Sequence, residues 1–366
     1  MGLSAGIVGL PNVGKSTLFN TITNSQVEAA NYPFATINPN VGVVYVNDER
    51  LYKLASLINP DKTTPATCTF VDIAGLVAGA SKGEGLGNKF LTNIRETNAI
   101  CHVVRCFDNQ QITHVMSGVD PVRDAKIVNI ELILSDYELI GKRFSRVVTK
   151  AKSGDKVALV EESACRKIME QLKAEKFASN ANLTDEEKQL ITSYNLLTIK
   201  PMLYIANVDE KYVADPKQSP HYQALFTFAK ENNCQIIGLS IAIEYEISKL
   251  TNDDKQMFLE DLNIKQSGLD NLIKATYKLL NLKTFFTFGK SEVKAWTYVN
   301  GMTAPQCAGV IHSDFEKGFI KAEIMSCEDL LELKTELAVR EAGKVRIEGK
   351  NYLINDGDVC HFRFNV

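Results

Sequence analysis

The sequence predicts an α/β fold built on a mostly parallel β-sheet with helices on both faces. A short apolar run at residues 3–9 is followed by a glycine-rich turn and an amphipathic stretch from Lys15 to about Thr23. Further strand-like runs alternate with helical patterns along the chain. They lie at residues 41–46, 67–73, 99–107 and 200–206. Such alternation is typical of parallel sheets covered by helices.

The glycine-rich turn, Gly9–Ser16, reads GLPNVGKS. Gly9 and Gly14 allow the backbone to curl around a phosphate group, and the helix that follows presents its positive end to the same group. We expect Lys15 to reach the β- and γ-phosphates as a catalytic residue, and the Ser16 hydroxyl to bind Mg²⁺. The predicted nucleotide contacts in this stretch are Asn12, Val13, Gly14, Lys15, Ser16 and Thr17.

A second element of a GTPase-like P-loop protein follows at Asp72-Ile73-Ala74-Gly75, at the end of an apolar run. Asp72 is suited to bind Mg²⁺, and the Gly75 N–H is placed to contact the γ-phosphate. Between the two motifs, Thr36 is the candidate to complete the Mg²⁺ shell, with a threonine at a strand edge as the alternative. The metal-site prediction is therefore Ser16, Thr36 and Asp72.

The residue that activates water is less evident from the sequence. Many GTPases carry glutamine directly after this glycine, but Leu76 occupies the position here and cannot hydrogen-bond water. His114 is the candidate catalytic side chain, and a structural or surface histidine is the alternative. The glycine-rich stretch Gly79–Gly87 has the composition of a switch loop.

Base recognition is predicted at Asn207-Val208-Asp209-Glu210. Guanine-specific proteins use Asn-Lys-x-Asp here, and Glu210 is one methylene longer than the aspartate that binds guanine. A guanine donor left unpaired costs about 1–3 kcal/mol, so the motif favours adenine. The predicted base contacts are Asn207, Val208, Glu210 and Ser240.

Two stretches depart from the α/β pattern. Helical periodicity without strand signals fills most of residues 121–196 and predicts an inserted helical hairpin. The apolar face of its first helix is expected at Ile130, Leu134, Tyr137, Ile140, Phe144, Val147 and Ala151. Residues 283–366 mix short strands, expected at 293–299, 343–347, 352–354 and 359–364, with a helix near 327–338, and predict a small β-rich module. The expected organisation is a nucleotide-binding domain at 1–120 and 197–282, the hairpin at 121–196, and the C-terminal module at 283–366.

The chain resembles the YchF or Obg-like ATPases, which are P-loop proteins of the GTPase superfamily. The stretches that carry the resemblance are Gly9–Ser16, Asn31–Ile37, Asp72–Val77, Gly79–Asn88, Asn207–Glu210 and Ile311–Phe319. The resemblance implies that the hairpin is a coiled-coil arm and that the C-terminal module is a β-grasp-like TGS domain. It also implies Mg²⁺-dependent ATP hydrolysis and association with the ribosome. Similar phosphate loops hold K⁺ with an asparagine at the position of Asn12, so K⁺ is a further candidate cofactor.

Charge and cysteine usage limit the other possibilities. The net charge of −3 indicates no global attraction to nucleic acid or membrane. Six basic residues cluster in 142–156, however, which suits contact with rRNA phosphates, with a solvated helix tip as the alternative. Eight cysteines without metal-ligand spacing predict buried thiols in a reducing cytoplasm. We expect a cytoplasmic monomer that binds ATP and the ribosome, and no membrane. The alternatives are a GTP-specific translation or ribosome-assembly factor, and a nucleotide-gated scaffold with negligible turnover.

Overall fold

The computed structural model describes residues 3–24, 40–73, 86–109, 111–113 and 118–365. Within these ranges the strands are β1 (Ser4–Val8), β2 (Val41–Tyr45), β3 (Lys62–Thr64), β4 (Thr67–Asp72), β5 (Ala99–Cys106), β6 (Met202–Val208), β7 (Gln235–Leu239), β8 (Leu282–Phe288), β9 (Glu292–Val299), β10 (Phe319–Ser326), β11 (Arg346–Glu348) and β12 (Asp358–Phe364). The α-helices are α1 (Lys15–Asn24), α2 (Glu49–Ile58), α3 (Leu86–Glu96), α4 (Pro121–Lys152), α5 (Lys156–Lys173), α6 (Asp185–Ile191), α7 (Pro220–Glu231), α8 (Ile241–Ile247), α9 (Asn252–Asp261), α10 (Gly268–Leu279), α11 (Ala304–Ile311), α12 (Ser313–Lys317), α13 (Cys327–Leu333) and α14 (Glu336–Glu341).

The first sheet has the strand order β2-β4-β1-β5-β6-β7. The strands β4, β1, β5, β6 and β7 pair in parallel. Every residue of β5 and β6 is buried, as expected for central strands covered on both faces. The predicted class, a mostly parallel α/β fold, is confirmed.

The chain divides into two compact units. The described residues of the first unit fall within 3–24, 40–42 and 69–271, and those of the second within 43–68 and 272–365. The first unit contains the phosphate loop and the long helices α4 and α5. None of the helices in the described ranges has the length and hydropathy needed to span a membrane.

The helices α4 and α5 pack along one another and are joined by a tight turn. Asp120 caps α4 and Asp155 caps α5, each accepting a hydrogen bond from a backbone N–H in the first turn. Gly154, with φ +87°, makes the turn between them. Near this turn the two helices bury a small apolar cluster of Val147, Ala151 and Ala158.

One detail of the predicted helical pattern is wrong. The apolar periodicity placed Ile130 and Leu134 on the packed face of the first helix, but they are 38% and 43% exposed. Their neighbours Val128 and Leu132 are fully buried instead. This part of α4 packs against α7 and β5 rather than only against α5, so its buried face differs from that nearer the turn.

The second unit contains a sheet with the strand order β11-β10-β12-β8-β9-β3. Two sequence expectations for this region are wrong. Residues 352–354 form only an isolated antiparallel bridge and not a full strand. In it Leu353 pairs with Thr303, the Tyr352 carbonyl accepts from the Ala304 N–H, and the Ile354 N–H donates to the Met302 carbonyl. The helix expected near 327–338 is instead α13 and α14, since Lys334 adopts a left-handed φ of +66° and ends the first of them.

All eight cysteines are free thiols, and seven of them are buried while Cys234 is half-buried. Burial raises the pKa of the Cys234 thiol to about 11 and that of the Cys327 thiol to about 11. Both thiols therefore stay protonated at neutral pH, as expected of structural cysteines.

Candidate nucleotide-binding site

The candidate site lies where the parallel strands of the first sheet end. Ligands of open α/β sheets bind outside the carboxyl ends of the strands. The phosphate loop follows β1, Asp72 ends β4, and Asn207 lies next to the last residue of β6. Ser240 directly follows β7. The topology thus brings residues separated by more than two hundred positions to one edge.

The phosphate loop has the backbone geometry that its sequence predicts. Asn12 and Gly14 both adopt left-handed conformations, with φ of +62° and +98°. Gly9 allows close approach to β5, because a Cβ atom there would lie 2.7 Å from the Val103 carbonyl oxygen. The helix α1 begins at Lys15, as expected, and the Leu18 N–H donates to the Gly14 carbonyl at 2.9 Å.

Lys15 and Asp72 contact one another at this edge. The Lys15 side chain is nearly buried, and its ammonium group donates to Asp72 Oδ1. The Asp72 backbone N–H donates to the Asn40 carbonyl at 2.8 Å, which fixes the end of β4. The two side chains expected to bind phosphate and metal are therefore within direct reach of each other.

The residues available here fit a magnesium ion. Asp72 supplies carboxylate oxygens, and Ser16 is exposed in the first turn of α1, where its hydroxyl is available. Mg²⁺ prefers oxygen ligands and commonly takes only one or two from the protein, with phosphates and water completing its shell. In the described ranges no group of three His, Cys, Asp or Glu side chains is arranged to hold a metal ion by itself.

Asn207 connects the phosphate loop to the end of β7. Its side chain is 6% exposed, and its amide nitrogen donates to the Val13 carbonyl at 3.0 Å. Its amide oxygen accepts from the Ile241 N–H at 3.0 Å. Gly14 lies against the same amide, and a Cβ atom at Gly14 would be 2.8 Å from the Asn207 nitrogen. Asn207 therefore fixes the phosphate loop against the start of α8, and these two hydrogen bonds of its side chain form an asparagine clamp.

The remaining base-recognition candidates differ in exposure. Val208 is buried at the end of β6, and Ser240 is buried at the residue that precedes α8. Glu210 is exposed and begins a short 3₁₀ helix, while Asp209 accepts from the Lys211 N–H and caps it. Because its side chain is exposed, Glu210 is accessible to a bound base.

Thr17, a predicted nucleotide contact of the phosphate loop, is exposed next to Ser16 in α1.

Several predicted residues lie outside the described residues. They are Thr36, Gly75, Leu76 and His114. Their roles stay predictions.

Sequence reasoning missed one buried arginine at this edge. Arg105 is 2% exposed, in the next-to-last position of β5, and its guanidinium group donates to three backbone carbonyls of the turn that follows. A charged residue at the end of an otherwise apolar strand was the available signal. Buried arginines are rare unless their donors are satisfied.

Together, the phosphate loop before α1, the carboxylate that ends β4 and the asparagine clamp define a P-loop nucleotide-binding protein of the GTPase type. The family model MMR_HSR1, described as a 50S ribosome-binding GTPase, matches residues 4–135. The model YchF-GTPase_C, described as a protein of unknown function (DUF933), matches residues 282–365. The chain belongs to the YchF family, because full-length members of that family are 49–55% identical to it.

Full-length relatives support this assignment. The chain is 55% identical to the ribosome-binding ATPase YchF of Bacillus subtilis (strain 168) and 49% identical to that of Escherichia coli O157:H7. Both alignments cover 100% of each chain. The solved structure of the Schizosaccharomyces pombe YchF GTPase is similar, with a TM-score of 0.88 and 38% identity over 99% of this chain and 97% of that one.

Proposed function

We propose that this protein is a Mg²⁺-dependent ATPase that binds ribosomes and acts as a nucleotide-gated switch. The observation that carries the proposal is the contact between Lys15 and Asp72 beside the phosphate loop. It brings the predicted phosphate-binding cation and the predicted metal-binding carboxylate to one point. The names of the full-length relatives support ATP as the substrate and the ribosome as the partner.

In this proposal Ser16 and Asp72 hold the metal, and Thr36 completes its shell. Bound Mg²⁺ would neutralise charge on the β- and γ-phosphate oxygens. Lys15 binds the same oxygens, and backbone N–H groups from Gly14 to Thr17 orient the phosphate chain towards the start of α1. Gly75 contacts the γ-phosphate, and His114 orients the attacking water in place of the missing glutamine.

The preference for ATP rests on the base-recognition residues. Val208 is buried and apolar where guanine-specific proteins carry lysine, and exposed Glu210 replaces their aspartate. Asn207 and Ser240 complete the predicted base site. Because Glu210 is too long to accept both guanine donors, GTP should gain no advantage over ATP.

Competition between ATP and GTP tests this preference. We expect ATP to bind at least as tightly as GTP, and a tenfold preference for GTP, equal to ~1.4 kcal/mol, would contradict the ATPase assignment. The double change Val208→Lys and Glu210→Asp should move the preference towards GTP. Lys15→Ala should abolish turnover of ATP. A second measurement, ATP turnover of the wild-type protein with and without ribosomes, separates an enzyme from a scaffold with negligible turnover.

We also propose the domain division 1–120 with 197–282 for nucleotide binding, 121–196 for the arm and 283–366 for a TGS domain. The arm is the proposed contact with rRNA. At about 1.5 Å per residue, the 32 residues of α4 extend ~48 Å. A cytoplasmic monomer is the expected form.

The basic residues of the arm fall into two groups. Lys142 pairs with Glu138, and Arg143 donates to Glu161, so their charges are partly neutralised within the arm. The others lie on the surface nearer the turn between α4 and α5 and form no ion pair with the described residues. They are Arg146, Lys150, Lys152 and Lys156. This group is the better candidate for phosphate contacts.

Charge reversal of these four residues to Glu tests the ribosome contact. We expect weaker co-sedimentation with ribosomes, a smaller salt dependence of the residual binding and unchanged ATP affinity. A matched control reverses four exposed lysines of the same unit that lie outside the arm, giving an equal change in net charge. They are Lys217, Lys230, Lys249 and Lys265. Equal losses in both variants would show a general charge effect, not a contact through the arm.

A further inference from the structure

Arg105 is a buried arginine for which the proposed chemistry has so far given no role. Its Nε donates to the Phe107 carbonyl at 3.2 Å, and its two terminal nitrogens donate to Ile112 at 3.1 Å and Asn109 at 3.0 Å. One side chain therefore bonds three carbonyl groups of a single turn, the turn that leaves β5 at the nucleotide-binding edge of the sheet.

The guanidinium group is well suited to this arrangement because its five N–H donors have a fixed planar geometry. A lysine carries its charge at a single nitrogen and cannot satisfy three carbonyls spread over this turn. The Phe107 ring also lies 4.6 Å from the guanidinium carbon, which adds a cation–π contact. Arg105 thus fixes the shape of the turn.

The same turn contacts the phosphate loop. The amide nitrogen of Asn12 donates to the Thr113 carbonyl at 3.2 Å. Because a carbonyl oxygen only accepts hydrogen bonds, this contact sets which way the amide faces, and the Asn12 oxygen is directed away from Thr113. The orientation of a polar side chain inside the phosphate loop therefore depends on the turn that Arg105 holds.

We propose that Arg105 is a positioning residue for phosphate transfer and that it acts through the Thr113 carbonyl on Asn12. The inference rests on the proposed nucleotide triphosphatase function. Ground-state nucleotide binding relies mainly on Lys15 and on the backbone N–H groups at the start of α1. A misplaced Asn12 should therefore slow turnover more than it weakens binding.

A double-mutant cycle between Arg105→Lys and Asn12→Ala tests this inference. We expect Arg105→Lys to lower kcat about tenfold or more while KM for ATP changes less than about threefold. If the effect passes through Asn12, the double mutant should have a kcat within about twofold of Asn12→Ala alone. Arg50→Lys, which alters an ion-paired arginine of the other unit, is the control and should leave kcat unchanged.

Asn109→Ala perturbs the turn from its exposed side and provides the test if Arg105→Lys does not fold. The Asn109 side-chain oxygen accepts from the Gln111 N–H at 2.8 Å within the turn. This variant should also lower kcat without raising KM, and its effect should disappear on the Asn12→Ala background.

Two results would overturn the role of Arg105 and leave the proposed function standing. One is that the losses in kcat multiply in the double mutants, and the other is a raised KM with unchanged kcat. A wild-type protein that hydrolyses neither ATP nor GTP, with or without ribosomes, would reject the proposed function and this inference with it.

Discussion

Replacing Asn207 by alanine should destabilise the nucleotide-binding unit strongly, because it removes both hydrogen bonds of the clamp. The change leaves the Val13 carbonyl and the Ile241 N–H without the partner they have at 3.0 Å. Each buried polar group left unsatisfied costs ~1–3 kcal/mol, so the total is about 2–6 kcal/mol. For a unit of this size that loss corresponds to a decrease in Tm of roughly 5–20 °C.

Thermal unfolding of the purified variant, with and without an ATP analogue, measures this loss. Asn207→Asp is an informative second variant, because its carboxylate still accepts from Ile241 but repels the Val13 carbonyl. The exposed Asn182→Ala is the control and should unfold within about 1 °C of wild type. If Asn207→Ala unfolds at the wild-type temperature and is stabilised equally by the analogue, the clamp does not hold the phosphate loop.

Two further predictions concern pH and monovalent cations. Burial lowers the pKa of His102 to about 3, and its Nδ1 has no partner among the described residues. The unfolded chain therefore takes up the proton first, so stability is complete above pH ~6.5 and falls as the pH drops below it. Between pH 7 and pH 5 this effect should lower the free energy of unfolding of the wild-type protein by ~2 kcal/mol. In urea unfolding, His102→Phe should lack this decrease, and a wild-type pH dependence in the variant would contradict the prediction. If Asn12 ligates K⁺, ATP turnover should be faster in K⁺ than in Na⁺, and equal rates would exclude the idea.

The sequence predicts the residues of this site better than their mutual contacts. The loop from Gly9 to Ser16 and the carboxylate Asp72 follow from motifs whose spacing is set by phosphate and metal geometry. Asn207 is also found by its motif, but as a residue that reads the base. The structure shows its amide bonded to Val13 and Ile241, which belong to loops that only the parallel sheet brings together.

Arg105 shows why part of the site is not predictable. It belongs to no short motif, and its partners are backbone carbonyls, which every residue type provides. The same reason explains the strand expected at residues 352–354, where the backbone forms only a single bridge between Leu353 and Thr303. Local sequence patterns show the types of side chain, whereas these contacts depend on where the backbone lies in the folded unit.

The base of the arm provides the last prediction, because a buried carboxylate joins it to the rest of the first unit. Asp136 in α4 is fully buried and accepts from Arg95 of α3 at 3.0 Å. It also accepts from the backbone N–H groups of Leu197 and Thr198, at 3.1 Å and 2.8 Å, and from the Thr198 hydroxyl at 2.7 Å. One side chain thus ties together three separate segments of the chain.

Asp136→Asn should cost about 3–5 kcal/mol, because the half-buried Arg95 guanidinium loses its counter-charge and an amide nitrogen must face a donor. Lys142→Ala removes an exposed pair on the same helix and should cost about 0–0.5 kcal/mol. Urea unfolding of the two variants compares them directly. Similar losses would mean that the arm is not fixed at its base by Asp136. A large difference would show that α3, which begins at Leu86 within the predicted switch stretch, is firmly joined to α4, the helix that carries basic residues near the turn of the arm. Transmission of the nucleotide state to the arm requires such a connection.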